Sequence, residues 1–519
     1  MQDQRRAHKV ISNAIYNLIP QFWFLGLTLF TMPFVLHRLG VDAYGILSII
    51  TVVAGYLAFL DLGLNVAVIR FIAAHDAKGE RDEIARVTAT ALFIFSVMAM
   101  LAVAALLISA NPLARLLSVP EHMQSEAAMA LRLGGISFGL NLVMGVFSAV
   151  PRALQRFDVV NLLNVIIGTL QIGVTVILLA FGLGLLAIMI WSCVLSALSL
   201  VIYLIAARRL LPTISVRPRL DAEKFRELYR FSGFVMISNF TGVAAGHSEK
   251  LLLGGLAPIA QVTFYAVPFN IVSRVQMLIP SNLFAVLFPA FSAMSVTEKR
   301  ETLQDAYLRA FKFILLAVAP ITILLVFFGG DLLRVWIDAD MARNGGPPLA
   351  VLAVAVLINA PAWVTVTTGQ SLGRPALVAG AQVVHLLVLI VSGLLLVPHY
   401  GALGAALAWL AGNLIGIPVL VLLVNRRVLQ LGMARMLKEA LARPLLVTAL
   451  VSMLAAALKP LVAGLLSLAL VAAAVTLVFG ALGFAIGLDG KDRSTVKSFV
   501  VMRYQALFRL TPKIAEEKA

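Results

Sequence analysis

A small set of polar residues in this 519-residue chain lies where the neighbouring sequence is apolar: Arg132, Lys250 and Arg274; Asp61 and Glu249; Asn13, Asn17 and Gln21. An ionised side chain in hydrocarbon costs at least about 2.5 kcal/mol, so each needs a partner, a wet cavity or a charged ligand. Cations at that depth can bind an anionic group such as a phosphate. A carboxylate there can carry a proton or a sodium ion, because binding either removes its charge. Arg274 pairs with an acid such as Glu249 or meets an anionic ligand. Asp61 pairs with a cation such as Arg70 or serves as an ion-coupling group. Glu249 and Lys250 are adjacent, so they point about 100° apart on a helix and need not pair with each other. His247 shares the Lys250 face and reads first as a packing residue. Arg132, close to the end of its apolar run, either snorkels to the interface or lines a cavity. Asn13, Asn17 and Gln21 recur every four residues and form one polar stripe, either a cavity wall or a seam between helices. Three cations against two acids lean toward an anionic ligand.

The elements that position these residues follow from composition. Apolar residues make up 61% of the chain and charged residues only 13%, about half the charged share of soluble domains. The mean hydropathy is +0.98. This excludes a cytosolic globular enzyme, a disordered chain and a secreted disulfide scaffold, and the long apolar runs select helices over a barrel. The net charge of +16 reflects basic loops rather than a nucleic-acid partner. The single cysteine, Cys193, excludes an internal disulfide and a thiolate metal site. Met1 to Val10 is polar and the first apolar run is too long for an h-region, so no cleavable signal is expected. No Walker loop or His-Glu-x-x-His pattern is present, so no enzymatic chemistry and no cofactor are expected.

At about 20 residues per span, fourteen helices are expected, near 11–36, 44–69, 88–110, 128–150, 159–181, 185–206, 231–254, 264–291, 313–329, 349–370, 376–396, 403–425, 444–456 and 463–487. A kink at Lys459-Pro460 would make thirteen. Of the 41 Lys and Arg residues, 33 fall in the termini and the loops on their side, and five in the opposite loops. That split places both termini in the cytoplasm and requires an even count.

The chain also repeats. The stretches Gly182 to Arg209 and Gly401 to Arg427 each start with glycines, carry a tryptophan (Trp191, Trp409) and end in Arg-Arg. The same offset lays Arg115-Leu116-Leu117 on Arg334-Val335-Trp336. Duplication at one offset gives two six-helix lobes with a pseudo-two-fold along the membrane normal, a transporter architecture. The expected parts are an N-terminal lobe over 1–210, a basic cytoplasmic linker over 211–230, a C-terminal lobe over 231–427, two further helices over 428–487 and a basic tail over 488–519. The tail from Lys491 to Leu510 has the pattern of a surface-lying amphipathic helix.

Several stretches carry a resemblance. They are Leu39-Gly40-x-x-x-Tyr44-Gly45, then Asp61-Leu62-Gly63-Leu64 with Arg70; Glu249-Lys250-Leu251-Leu252-Leu253-Gly254 with Phe264-Tyr265-Ala266; Val286-Leu287-Phe288-Pro289-Ala290-Phe291-Ser292; and Gly373-Arg374-Pro375 with Val397-Pro398-x-Tyr400-Gly401-x-x-Gly404-Ala405-Ala406. In order and spacing the chain resembles the polysaccharide-biosynthesis branch of the multidrug/oligosaccharidyl-lipid/polysaccharide exporters. The resemblance implies a flippase in the bacterial inner membrane that moves undecaprenyl-diphosphate-linked repeat units for surface polysaccharide assembly by alternating access, with a polysaccharide polymerase as a partner. Alternatives within the superfamily are a drug or organic-cation antiporter and a peptidoglycan-precursor flippase. Members often have Asp-Lys where this chain has Glu249-Lys250. The expected substrate-binding residues are Arg274, Lys250, Arg132, Asn17 and Gln21, and the expected proton- or sodium-coupling residues are Asp61 and Glu249.

Overall fold

The computed structural model describes residues 2–61, 63–229, 248–278, 287–288, 290–294, 298–494 and 498, with side chains from Gln21 onward except at 58, 59, 277 and 278. These residues are helical nearly throughout, and none forms a strand. Ten helical stretches among them are long and apolar enough to cross a membrane. The chain is an all-α polytopic membrane protein, because in hydrocarbon only a helix satisfies each backbone polar group within its own segment.

Met1–Asn270 and His385–Ala411 form one compact unit, and Ile271–Val384 with Gly412–Ala519 a second. The first unit opens with α1 (Gln2–Leu39) and α2 (Val41–Leu57). The expected span 44–69 is interrupted: a 3₁₀ turn over Ala58–Asp61 follows α2, and Gly63 turns left-handed (φ 74°) before α3 (Leu64–Lys78) begins. The left-handed region is open to glycine at little cost and closed to most other residues. Next come α4 (Arg81–Leu116), α5 (Gln124–Ala153), α6 (Phe157–Ala180) and α7 (Leu185–Leu210). Close approach of α4 and α5 depends on small residues: a Cβ on Gly135 would meet Leu106 at 2.9 Å, and one on Gly139 would meet Val103 at 2.8 Å. Val68 and Ile72 of α3, Phe95 of α4, Val146 of α5 and Tyr203 of α7 fill the core between these helices.

Beyond α7 the chain folds back on the start of α4. The backbone N–H groups of Ser215 and Asp221 donate to Thr88 and Thr90 hydroxyls, and that of Arg219 to the Ala89 carbonyl. Arg86 bridges Asp221, Glu223 and Glu83, while the buried Lys224 ammonium reaches Glu83 and Glu227. The Arg86 guanidinium holds the Asp221 carboxyl below its ordinary range. The expected cytoplasmic linker is thus pinned on one helix terminus at 211–229.

A helical stretch at 248–256 and α8 (Ile259–Leu278) follow. Then come α9 (Arg300–Trp336), α10 (Ala339–Asn359), α11 (Ala362–Ser371) and the 50-residue α12 (Pro375–Val424), whose axis breaks at Gly401 (φ 52°, ψ −126°). Two further apolar helices are α13 (Ala442–Leu458) and α14 (Leu465–Leu482). In the second unit Ile323 and Phe328 of α9 pack against Val447 and Val451 of α13 and Val475 and Phe479 of α14. A polar latch reinforces that packing. The Lys312 ammonium of α9, 3% exposed, reaches the Asp489 carboxylate at 2.9 Å and also Asp492, which is 1% exposed. Burial alone would raise the Asp489 pKa, but the Asp492 N–H and the Lys312 ammonium outweigh it and hold the group down to about 2. The tail helix expected beyond Lys491 lies outside the described residues after Ser494, apart from Ser498.

Candidate functional site

Four of the stretches singled out in the sequence meet in the first unit, and glycine is the reason they can. A Cβ on Gly45 of α2 would stand 2.5 Å from the Ile259 carbonyl, and one on Gly254 would stand 2.2 Å from the Ile49 side chain. The α2 helix therefore lies directly on 248–263, and Thr263 donates to the Val41 carbonyl at 2.6 Å. Gly393 of α12 backs onto Leu252 in the same way. At the α12 break the Gln261 amide oxygen accepts the Ala402 N–H at 3.0 Å, in space that a Cβ on Gly401 would fill.

Glu249 and Lys250 sit in this crossing. Glu249 is fully buried, with both carboxylate oxygens enclosed and without an ion-pair partner among the described residues, and the Tyr265 hydroxyl faces it. Lys250, 9% exposed, turns to other neighbours: its ammonium lies 4.8 Å from the centre of the Phe269 ring. Phe269 stacks on Tyr265 (5.6 Å, 20°) and meets Trp409 edge-on (5.8 Å, 76°). An ammonium over an aromatic face gains about 0.5–2 kcal/mol, most when desolvated. Trp409, noted in the sequence only as a repeat marker, thus closes an aromatic wall around a buried acid and a buried cation. Tyr56 of α2 and Ser248, at 3.1 Å, tie the broken helix to the residue before Glu249. His247 lies outside the described residues, as do residues 279–286.

Asp61 stands at the break between α2 and α3. Its carboxylate accepts the Asn65 N–H at 3.1 Å, which satisfies one orphan donor of the first turn of α3. The Asn65 amide donates to the Gly145 carbonyl of α5 at 3.2 Å. Arg132 of α5 donates to the Asn111 amide oxygen of α4 at 3.2 Å. Asn13 and Asn17 fall within α1, but their side chains lie outside the description. Gln21 is half-buried, and its amide oxygen is enclosed without a partner among the described residues.

In the second unit Arg274 is half-buried in α8 and makes no ion pair among the described residues. Near it, Gln276 donates to Asn359 of α10 at 3.0 Å, and Asn359 donates to the fully buried Asn413 of α12 at 2.7 Å. This chain of amides was not singled out in the sequence. Its only signal is the isolated amide within an apolar run, since 83 and 54 residues separate the pairs.

A family model described as polysaccharide biosynthesis protein matches residues 35–338, more than half of the chain. A Shigella flexneri protein described as an O-antigen transporter is 24% identical over 405 residues, covering 77% of this chain and 94% of its own length. The membrane protein EpsK of Bacillus subtilis (strain 168) is 24% identical over 343 residues, covering 64% of this chain and 65% of its own. Among solved structures, the lipid II flippase MurJ in an inward closed conformation superposes with a TM-score of 0.68 at 13% identity, covering 92% of this chain and 99% of that one. An inward-facing MATE multidrug resistance transporter of the MOP superfamily gives 0.67 at 16%, covering 82% and 96%. The two structures share the fold of this chain, and the resemblance carried by the motifs is borne out.

Proposed function

Because the chain belongs to the polysaccharide biosynthesis protein family, we propose that it is a membrane transporter that flips undecaprenyl-diphosphate-linked oligosaccharide repeat units from the cytoplasmic to the outer leaflet of the bacterial inner membrane, driven by a proton or sodium gradient. The observation that carries this reading is the Glu249–Lys250 pair, walled by Tyr265, Phe269 and Trp409 where α2, α8 and α12 cross on glycines. An ionised carboxylate enclosed this completely is costly, and a bound proton or sodium ion removes that cost. Such a site, built into helices that touch at small residues, couples ion occupancy to helix packing.

In this reading Arg274 and Lys250 meet the diphosphate, and Arg132, Asn17 and Gln21 line its route. Glu249 and Asp61 carry the coupling ion. Fourteen spans, in two six-helix lobes over 1–210 and 231–427 with the linker 211–230, the helices of 428–487 and the tail 488–519, put both termini in the cytoplasm. The repeat at one offset and the 33-to-5 division of Lys and Arg support that arrangement. A polymerase would take the delivered units on the outer face.

Depletion of the protein in its host tests the proposal directly. Lipid-linked repeat units should accumulate facing the cytoplasm and clear when the wild-type chain is restored. Unaltered delivery to the outer leaflet after depletion would overturn it.

A further inference from the structure

A furrow of about 450 Å³ runs between α4 and α5 on the first unit. Ala99, Val103 and Gly139 make its floor, and Met100, Leu107 and Ile136 stand along its edges, all three exposed. In a membrane-spanning pair of helices, such exposed apolar edges face hydrocarbon. From Ser96 to Leu107 the furrow rises roughly 16 Å at 1.5 Å per residue, close to half of the ~30 Å hydrocarbon core. It is one leaflet deep.

Its end is not apolar. One turn beyond Leu107 lies Asn111, and one turn before Ile136 lies Arg132, so both continue the walls of the furrow. The Arg132 guanidinium donates to the Asn111 amide oxygen across that end. Arg115 follows Asn111 by a further turn. Neither arginine makes an ion pair among the described residues. Both sit at the α4 C-terminal end, on the side of the membrane to which the charge count assigns few cations.

We propose that the furrow and the Arg132–Asn111–Arg115 cluster bind a lipid that has one long hydrocarbon chain on a phosphate, a polyprenyl phosphate, in the outer leaflet. The orientation and the lipid class rest on the proposed function. The match is geometric and electrostatic. One furrow between two helices accepts one chain, whereas a glycerophospholipid would leave its second chain outside. A phosphate at the depth of Arg132 accepts from a guanidinium whose one hydrogen bond among the described residues goes to Asn111, and the bond to phosphate is charge-assisted. The site would hold the sugar-free carrier lipid in the leaflet to which the proposed transfer delivers repeat units.

Native mass spectrometry of the purified full-length protein in nanodiscs, with polyprenyl phosphate and phosphatidylglycerol as competing probes, tests this. Ala104→Phe fills the furrow from an exposed position and leaves the core alone. Arg132→Gln removes the charge and keeps an amide for Asn111. Each should weaken polyprenyl phosphate retention roughly tenfold, the loss of one charge-assisted bond or of one chain's burial, and leave phosphatidylglycerol unchanged. Arg132→Lys should recover part of the loss. Retention unchanged in both variants, or an equal loss of the two lipids, would overturn the inference. If repeat units still reach the outer leaflet in depleted cells while the wild-type protein holds polyprenyl phosphate at Arg132, the transporter reading falls and the furrow stands.

Discussion

Glu249 is fully buried and, among the described residues, only the Tyr265 hydroxyl faces its carboxylate, so its ionisation can be removed without changing its volume. Glu249→Gln preserves shape and removes ionisation. The expected result is a folded, inserted protein whose transport in vesicles no longer responds to an imposed proton or sodium gradient. A response equal to wild type would assign Glu249 to packing. Asp61 has a different environment, since its carboxylate already accepts the Asn65 N–H. Asp61→Ala should cost about 1 kcal/mol of stability through that lost cap, whereas Asp61→Asn, which retains an acceptor, should cost far less. Thermal melting of the two variants separates capping from coupling. Arg274 has no acidic partner among the described residues, so Arg274→Ala should abolish transport with little change in melting temperature, and Arg274→Lys should restore part of it. A large drop in melting temperature for Arg274→Ala would instead mark a structural ion pair.

At the scale of elements, two glycine breaks do what uninterrupted helices cannot. Gly63 ends one helix and lets Asp61 cap the next. Gly401 lets α12 turn while the Gln261 amide oxygen accepts the buried Ala402 N–H. Gly63→Ala should cost about 1–2 kcal/mol, the penalty of the left-handed region. Gly401→Ala should cost more, because the new methyl also displaces Gln261, and differential scanning fluorimetry would rank the two. The spans themselves were legible because twenty apolar residues admit few other readings. The α2–α3 break was not, since hydropathy averages over Asp61-Leu62-Gly63 and a lone glycine in an apolar run is ordinarily tolerated. The residues of the buried pair could be named from charge alone. Their aromatic wall could not, because Tyr265, Phe269 and Trp409 come from distant segments and aromatic residues in spans are unremarkable singly. The Gln276–Asn359–Asn413 chain was hidden for the same reason.

For the molecule as a whole, topology and the ion pairs of the 211–229 segment and of Lys312 are the testable features. With Cys193 replaced, cysteines placed in 211–229 or 426–443 should be inert to an impermeant thiol reagent in intact cells, and reaction at either would overturn the orientation. Asp221 and Asp489 are both held below the ordinary carboxylate range. Their contributions are therefore complete above the unfolded value of about 3.9 and are lost only as pH falls through the folded values, about 2 for Asp489. The melting difference between wild type and Asp489→Asn should stay constant from about pH 8 to pH 5 and close only in stronger acid. A difference that narrows between pH 7 and 5 would contradict the latch.

The Lys312 latch has a consequence for synthesis. Its acidic partners lie 177 and 180 residues farther along the chain, so at about 5–20 residues per second the ribosome needs roughly 10–35 s to deliver them. Until then α9 carries a buried ammonium without its counter-charge, a defect worth about 3–5 kcal/mol where one partner of such a pair is removed. A chain halted before Asp489 retains that defect permanently and presents it to membrane proteases. A stop codon placed at Asp489 should therefore shorten the protein's cellular half-life far more than one placed after Ser494, and Lys312→Met should rescue the shorter product. The short turn that carries Asp489 and Asp492 thus reports whether synthesis has reached the second unit's final acidic partners for Lys312 among the described residues.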